Sequence, residues 1–105
     1  MLSVMSPYRA EMTATRPIGV AIAGLGFGDA VHRPALAANS GLEAVALWHP
    51  RQERLDQICA ESGLKGYTDW DALLADPAVD AVIIATPPAP RFDLARRALE
   101  AGKHL

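Results

Sequence analysis

The stretch from Pro17 to Gly28, PIGVAIAGLGFG, decides the fold. Ile18 to Ala23 is a short apolar run without helical period, bounded by Pro17 and Gly24, which is the pattern of a strand buried on both faces. Gly24-Leu25-Gly26-Phe27-Gly28 follows as a tight glycine loop. Asp29 to Ala38 then predicts a helix with Val31, Ala35, Leu36 and Ala38 on one face. Proline inside a helix is tolerated only in a first turn, so this helix starts near Arg33 or bends there, at Pro34. Asn39-Ser40-Gly41 ends it, with Gly41 as a left-handed cap.

The same alternation repeats through the rest of the chain. Leu42 to Trp48 is a second apolar run, stopped by Pro50. Arg51 to Glu61 predicts a helix with Leu55, Ile58, Cys59 and Ser62 at helical spacing and Gly63 as its cap. Leu64 to Tyr67 is a very short strand. Thr68-Asp69-Trp70-Asp71 reads as a capping box, Thr68 capping and Asp71 reaching back, for a helix through Leu74 that Asp76-Pro77 ends. Asp80 to Ala85 is the clearest buried strand. Thr86-Pro87-Pro88-Ala89-Pro90 breaks it. Arg91 to Ala101 predicts a helix with Leu94, Ala95, Ala98 and Leu99 on one side and Gly102 as cap. Lys103-His104-Leu105 is the first step of a further strand. Strands alternating with helices of about ten residues imply an α/β fold, a Rossmann-type parallel sheet with right-handed crossovers and helices on both faces. The expected strand order is 3-2-1-4, with the start of a fifth strand beside the fourth. With the fifth strand barely begun and the sequence stopping inside an apolar signal, the sheet reads as incomplete.

In this setting each loop glycine has its own task. The first permits the turn from strand to helix, the second lets the backbone approach a pyrophosphate, and the third allows helix to pack closely on strand. Free N–H groups at the helix N-terminus then hold the phosphates. Gly24 and Gly26 take the first two places. The third falls on Asp29, with Gly28 one step early. A carboxylate beside a pyrophosphate is repulsive, so Asp29 is expected to turn away or cap the helix. An ordinary glycine turn is the alternative, and the buried strand before the loop and the helix after it favour the phosphate loop. The end of the second strand reads the adenosine ribose. An acid there would accept from the 2′-hydroxyl of NAD, whereas an arginine suits the 2′-phosphate of NADP. Here the strand ends in Trp48-His49-Pro50-Arg51, with Arg54 one turn on and no acid, which favours NADP over NAD. Solvated arginines in a first helical turn are the alternative. Thr86-Pro87-Pro88 ends the fourth strand at the expected crevice, either as a wall for the nicotinamide or as a plain strand stop. The candidate cofactor-binding residues are therefore Gly24, Leu25, Gly26, Phe27, Gly28, His49, Arg51, Arg54, Thr86, Pro87 and Pro88.

Bulk properties narrow the class. The 105 residues carry a net charge of -2 and are half apolar, an ordinary balance for one soluble domain. The sequence pI of 5.8 argues against a nucleic-acid or polybasic membrane surface. No run approaches the roughly 18 apolar residues of a membrane span. The single cysteine, Cys59, excludes an internal disulfide, and a reducing cytoplasm is the simplest compartment. Residues 1–16 read as a disordered leader and not a secretory signal, since Pro7, Arg9 and Glu11 interrupt any apolar region. Residues 17–105 read as the nucleotide-binding domain. His32, His49 and His104 have no metal-ligand spacing with one another or with Cys59. Cys59, Trp48 and Trp70 read as packing residues. No catalytic constellation is supported.

Taken together, GVAIAGLGFGDAVHRPAL, DWDALLADPAVDAVIIATPP and ALEAGKHL resemble the Gfo/Idh/MocA oxidoreductases over Ile18 to Leu105. The resemblance implies an N-terminal Rossmann domain binding NAD or NADP. It also implies a following α/β domain that supplies substrate and oligomer contacts in homo-oligomeric full-length members, and oxidation or reduction at a CH–OH carbon of a sugar or polyol. The family continues past its GKH-type segment with a Glu-Lys-Pro motif carrying the catalytic lysine. This sequence ends at Leu105, just short of that motif, and Lys103 belongs to the GKH segment and is not that lysine. It departs from the family at Asp29, and at Arg91, where many members have histidine. The runner-up readings are a non-catalytic dinucleotide-sensing module and an S-adenosylmethionine-dependent methyltransferase fragment. The second is disfavoured by the basic residues after the second strand.

Overall fold

The computed structural model describes residues 16–26 and 28–105. Four parallel strands form one sheet in the order β3-β2-β1-β4. They are β1 (Ile18–Ala23), β2 (Leu42–Trp48), β3 (Lys65–Tyr67) and β4 (Ala81–Ile84). His104 pairs in parallel with Ala81, at the place expected for a fifth strand. Strand order and direction thus agree with the expected topology.

Helices cover both faces. A π-helical turn over Gly28–His32 runs into α1 (Arg33–Ala37). α2 spans Gln52–Ser62, α3 Trp70–Leu74 and α4 Pro88–Glu100. Val20 and Ile22 of β1 pack with Leu36 of α1 and Leu55 of α2. Ala21 and Ala23 pack on the other face with Trp70, Leu73 and Leu74 of α3 and Leu94 and Ala98 of α4. A central strand covered on both sides is apolar at every position, which is why β1 carries no alternation.

One irregularity interrupts the sheet. Val20 of β1 pairs with Ala44 and Ala21 with Ala46, leaving Val45 as an extra residue in β2. At this bulge Val45 and Ala46 both face the α3–α4 layer, while Ala44 and Leu47 face the other.

Several local expectations need correction. Gly41 is not a left-handed cap, because positive φ occurs at Gly24, Gly63 and Gly102. The helix ends at Ala38 in the right-handed region, and the Asn39 side chain accepts the Gly41 N–H at 2.9 Å, so the reversal needs no positive φ. The caps expected at Gly63 and Gly102 are present, at φ 75° and 79°. Asp69, not Thr68, caps α3, its carboxylate accepting from the N–H groups of Asp71 and Ala72 at 3.0 and 3.5 Å. The Thr68 carbonyl accepts the Trp48 indole N–H at 2.9 Å. Asp71 does not reach back but pairs with Arg97 at 2.8 Å. The prolines after β4 open a helix, since α4 begins at Pro88 with Pro87 as its N-cap rather than at Arg91. A first turn has no use for those missing N–H groups.

Two polar ties hold the frame. Buried Asp76 accepts from the Tyr67 hydroxyl at 2.7 Å, the Ala78 N–H at 2.8 Å and the Lys65 ammonium at 3.3 Å, which pins edge strand β3 to the loop before β4. The Arg16 guanidinium forks onto Asp80 at 2.8 and 3.0 Å, and Asp80 also accepts the Gly19 N–H at 2.8 Å. Arg16, the last residue of the expected leader, is thereby tied to the foot of the sheet. The rest of the leader, 1–15, lies outside the described residues, as does Phe27.

Candidate functional site

The described candidates lie where the strands end, with Arg54 in the first turn of the helix after β2. The ladder carries on past the strands: the Gly24 N–H donates to the Trp48 carbonyl at 3.2 Å, the Ala85 N–H to Ala23 at 2.8 Å and the His49 N–H to Tyr67 at 3.1 Å. The glycine loop, the His49 segment and the Thr86 turn therefore leave the sheet side by side. In open α/β sheets, ligands sit at this edge, where the strand order reverses, which here falls between β1 and β4.

The glycines divide the labour sharply. Gly24 has φ 106°, and a Cβ there would stand 2.6 Å from the Ala85 carbonyl oxygen. Gly26 is exposed and a Cβ on it would meet nothing within 4 Å, so its backbone is bare toward solvent. A Cβ at Gly28 would stand 2.6 Å from Cγ2 of Ile22, so Gly28 performs the helix-on-strand task expected of the third glycine, one residue early. The wider winding of the π turn takes up the difference. Asp29 is then carried off the packing line, half-buried, and its Oδ1 accepts from the Arg33 Nε at 2.5 Å. That hydrogen bond raises the Arg33 pKa above its ordinary value. The Asp29 carboxylate is thus engaged one turn on by Arg33. Leu25 is buried beside Ile22 and Leu36, so it offers the loop backbone, not a side chain, to a ligand.

After β2 the chain turns on a side-chain acceptor. Nδ1 of His49 accepts the Arg51 N–H at 3.0 Å, and Arg51 is the extended N-cap of α2. Burial, and then the charges of Arg54 and Arg51, push the His49 pKa down, which keeps Nδ1 an acceptor. The side chains of Arg51 and Arg54 are exposed and form no ion pair with any described residue. After β4, Thr86 is buried, and its hydroxyl donates to the Pro87 carbonyl at 3.1 Å. Its own carbonyl accepts from Arg91 Nε at 2.9 Å. Pro87 and Pro88 are exposed.

Two residues with work at this edge were not among the sequence candidates. Arg91 clamps the turn after β4, and Arg33 holds Asp29. The i,i+4 spacing of Asp29 and Arg33 was the available signal for the second. A cleft of about 380 Å³ beside β4 is lined, among the described residues, by Val82, Ile83, Ile84, Arg91, Ala95 and Leu105 and is mainly apolar. Among the described residues no cluster of three His, Cys, Asp or Glu could hold a metal, and no helix is long and apolar enough to cross a membrane.

Residues 18–105 match the oxidoreductase family GFO_IDH_MocA, NAD-binding Rossmann fold. The chain belongs to the Gfo/Idh/MocA family. An uncharacterized oxidoreductase of Synechocystis is 38% identical over 95 residues, covering 90% of this chain and 26% of that protein. A scyllo-inositol 2-dehydrogenase (NAD(+)) of Bacillus subtilis is 33% identical over 87 residues, covering 81% and 25%. Among solved structures, the 3-ketoreductase KijD10 of Actinomadura kijaniata, crystallised with NADP and TDP-benzene, superposes with a TM-score of 0.77 at 31% identity, covering 85% of this chain and 28% of that one. The chain thus spans about a quarter of the length of these relatives. The fold is a Rossmann sheet, and its cofactor class is the nicotinamide dinucleotides.

Proposed function

We propose that this chain is the dinucleotide-binding part of an oxidoreductase acting on a CH–OH group of a sugar or polyol, and that it prefers NADP. Residues 17–105 form the binding domain in this reading, with Arg16 tied onto it through Asp80. The observation that carries the binding reading is the cradle in the glycine loop. Gly26 presents bare backbone, while Gly24 and Gly28 on either side of it cannot carry a Cβ without displacing a neighbour. The bound cofactor would supply a hydride acceptor or donor. The residues of this chain would hold its phosphates and orient it. The inositol dehydrogenase of Bacillus subtilis supports a polyol or sugar substrate.

The preference for NADP rests on Arg51 and Arg54, cationic and without an ion-pair partner among the described residues at the end of β2. A guanidinium meeting a phosphate dianion makes charge-assisted hydrogen bonds worth about 1.5–3 kcal/mol each. Arg51→Ala is therefore expected to weaken NADPH binding roughly tenfold to a hundredfold and leave NADH nearly unchanged. Parallel fluorescence titrations of both reduced cofactors test this. Absence of binding by the unaltered chain would refute the dinucleotide reading, and equal losses for the two cofactors would refute the preference.

A further inference from the structure

We propose that Arg33 is an electrostatic mask for Asp29, without which the phosphate loop would repel its own ligand. This rests on the dinucleotide reading above. Asp29 lies in the turn that opens from the glycine loop, at the end of a helical segment where the backbone dipoles concentrate partial positive charge. A carboxylate there opposes a phosphate in two ways, by drawing on that same partial charge and by direct repulsion. Arg33 lies one turn on, its Nε on Asp29 Oδ1 at 2.5 Å, with side-chain exposures of 33% and 22%. Partial burial screens such a pair less than an open surface would. The pair also belongs to one short stretch of chain, so it forms with the turn itself and does not depend on the sheet.

The placement of Gly28 gives the pair its reason. With Gly28 seated against Ile22, residue 29 no longer has to be small and uncharged to pack, but it still stands beside the loop. The chain carries a charge there and cancels it one turn later.

The test is a set of NADPH and NADH titrations on four forms of the chain: unaltered, Arg33→Ala, Asp29→Asn, and the two combined. Arg33→Lys is added as a charge-retaining control, and a melting curve for each establishes that it is folded. Because both cofactors carry the same pyrophosphate, Arg33→Ala should weaken both by the same factor, roughly threefold to thirtyfold. Asp29→Asn should bind both at least as tightly as the unaltered chain. The double variant should return to near the unaltered affinity, and Arg33→Lys should keep it. Undiminished binding by Arg33→Ala overturns the proposal. So does a double variant as weak as Arg33→Ala, since Arg33 would then be touching the ligand or shaping the turn. If the unaltered chain binds neither cofactor, the dinucleotide reading fails instead, and the mask fails with it.

Discussion

Asp76 shows how much of this fold hangs on single side chains. The Tyr67 hydroxyl and then the Ala78 N–H hold its carboxyl below the ordinary 3.8, with Lys65 adding less and burial opposing them. Lys65 is two-thirds exposed, and an ion pair so open to water contributes little. A carboxyl with a folded-state pKa below its unfolded value stabilises fully above the unfolded value and loses that contribution as pH falls through the folded one. Asp76→Asn should therefore lower stability near pH 7 by about 1–3 kcal/mol, by weakening the part-buried hydrogen bonds from the Tyr67 hydroxyl and the Ala78 N–H. It should also flatten the loss of stability between about pH 5 and pH 3. Melting curves across that range check both, and an unchanged acid slope would show that Asp76 is not the titrating group. Nothing near Asp76 in the sequence announces this knot, because Tyr67 and Asp76 meet only when α3 folds back on β3. The pairing of Asp29 with Arg33 was legible in principle, since it needs one turn of helix and no tertiary contact.

At the scale of elements, the loop glycines make three different predictions. Gly24→Ala forces a side chain into positive φ and onto a backbone oxygen, and should cost about 3 kcal/mol or more. Gly28→Ala meets the end of the Ile22 side chain, which can yield, and about 1–3 kcal/mol is expected. Gly26→Ala meets nothing and should melt with the unaltered chain, yet lose dinucleotide affinity. Melting and titration on the three variants separate these outcomes, and a destabilised Gly26→Ala would mean the loop packs differently. Strands β1 and β4 were legible because cover on both faces leaves an uninterrupted apolar run, and Gly63 and Gly102 marked two helix ends correctly. Helix starts were harder. Pro87 and Pro88 stop a strand and open a helix equally well, and local pattern cannot say which begins first. Thr68 and Asp69 are both good caps, and the choice fell to the residue whose neighbour's carbonyl was already claimed by Trp48. The cap at α1 failed because Asn39 offered the turn a side-chain acceptor.

Across the whole molecule, the two ends of the sheet do separate work. The carboxyl ends carry the glycine loop, His49 and the Thr86 turn. The amino ends carry Arg16, Asp80 and Lys103, whose ammonium donates to the Val79 carbonyl at 2.6 Å. Burial pushes the Asp80 carboxyl up, but the Gly19 N–H and Arg16 outweigh it and hold it below its ordinary value. Asp80→Asn should then lower the melting temperature while leaving the dinucleotide affinity of the folded molecules unchanged. Calorimetry with titration below the transition distinguishes the two, and a parallel loss of affinity would show that the ends are coupled. The topology followed from the order of elements alone. The closure at the foot did not, because it joins Arg16 to Asp80 across most of the chain.

The bulge at Val45 has a consequence for how such chains change length. Ala44 and Ala46 already pair with the consecutive residues Val20 and Ala21, so the strand carries one residue more than its neighbour can match. Deleting Val45 should leave every other pairing and every facing as it stands, for the loss of one half-buried side chain. Deleting Leu47 should instead reverse the facing of the residues beyond it. The first deletion is expected to melt as one cooperative protein and the second to lose its transition, as circular dichroism would record. The count of residues from the glycine loop to the arginines that follow the second strand can therefore change by one without disturbing the sheet. Where related chains differ there by one, position 45 is where the gap belongs.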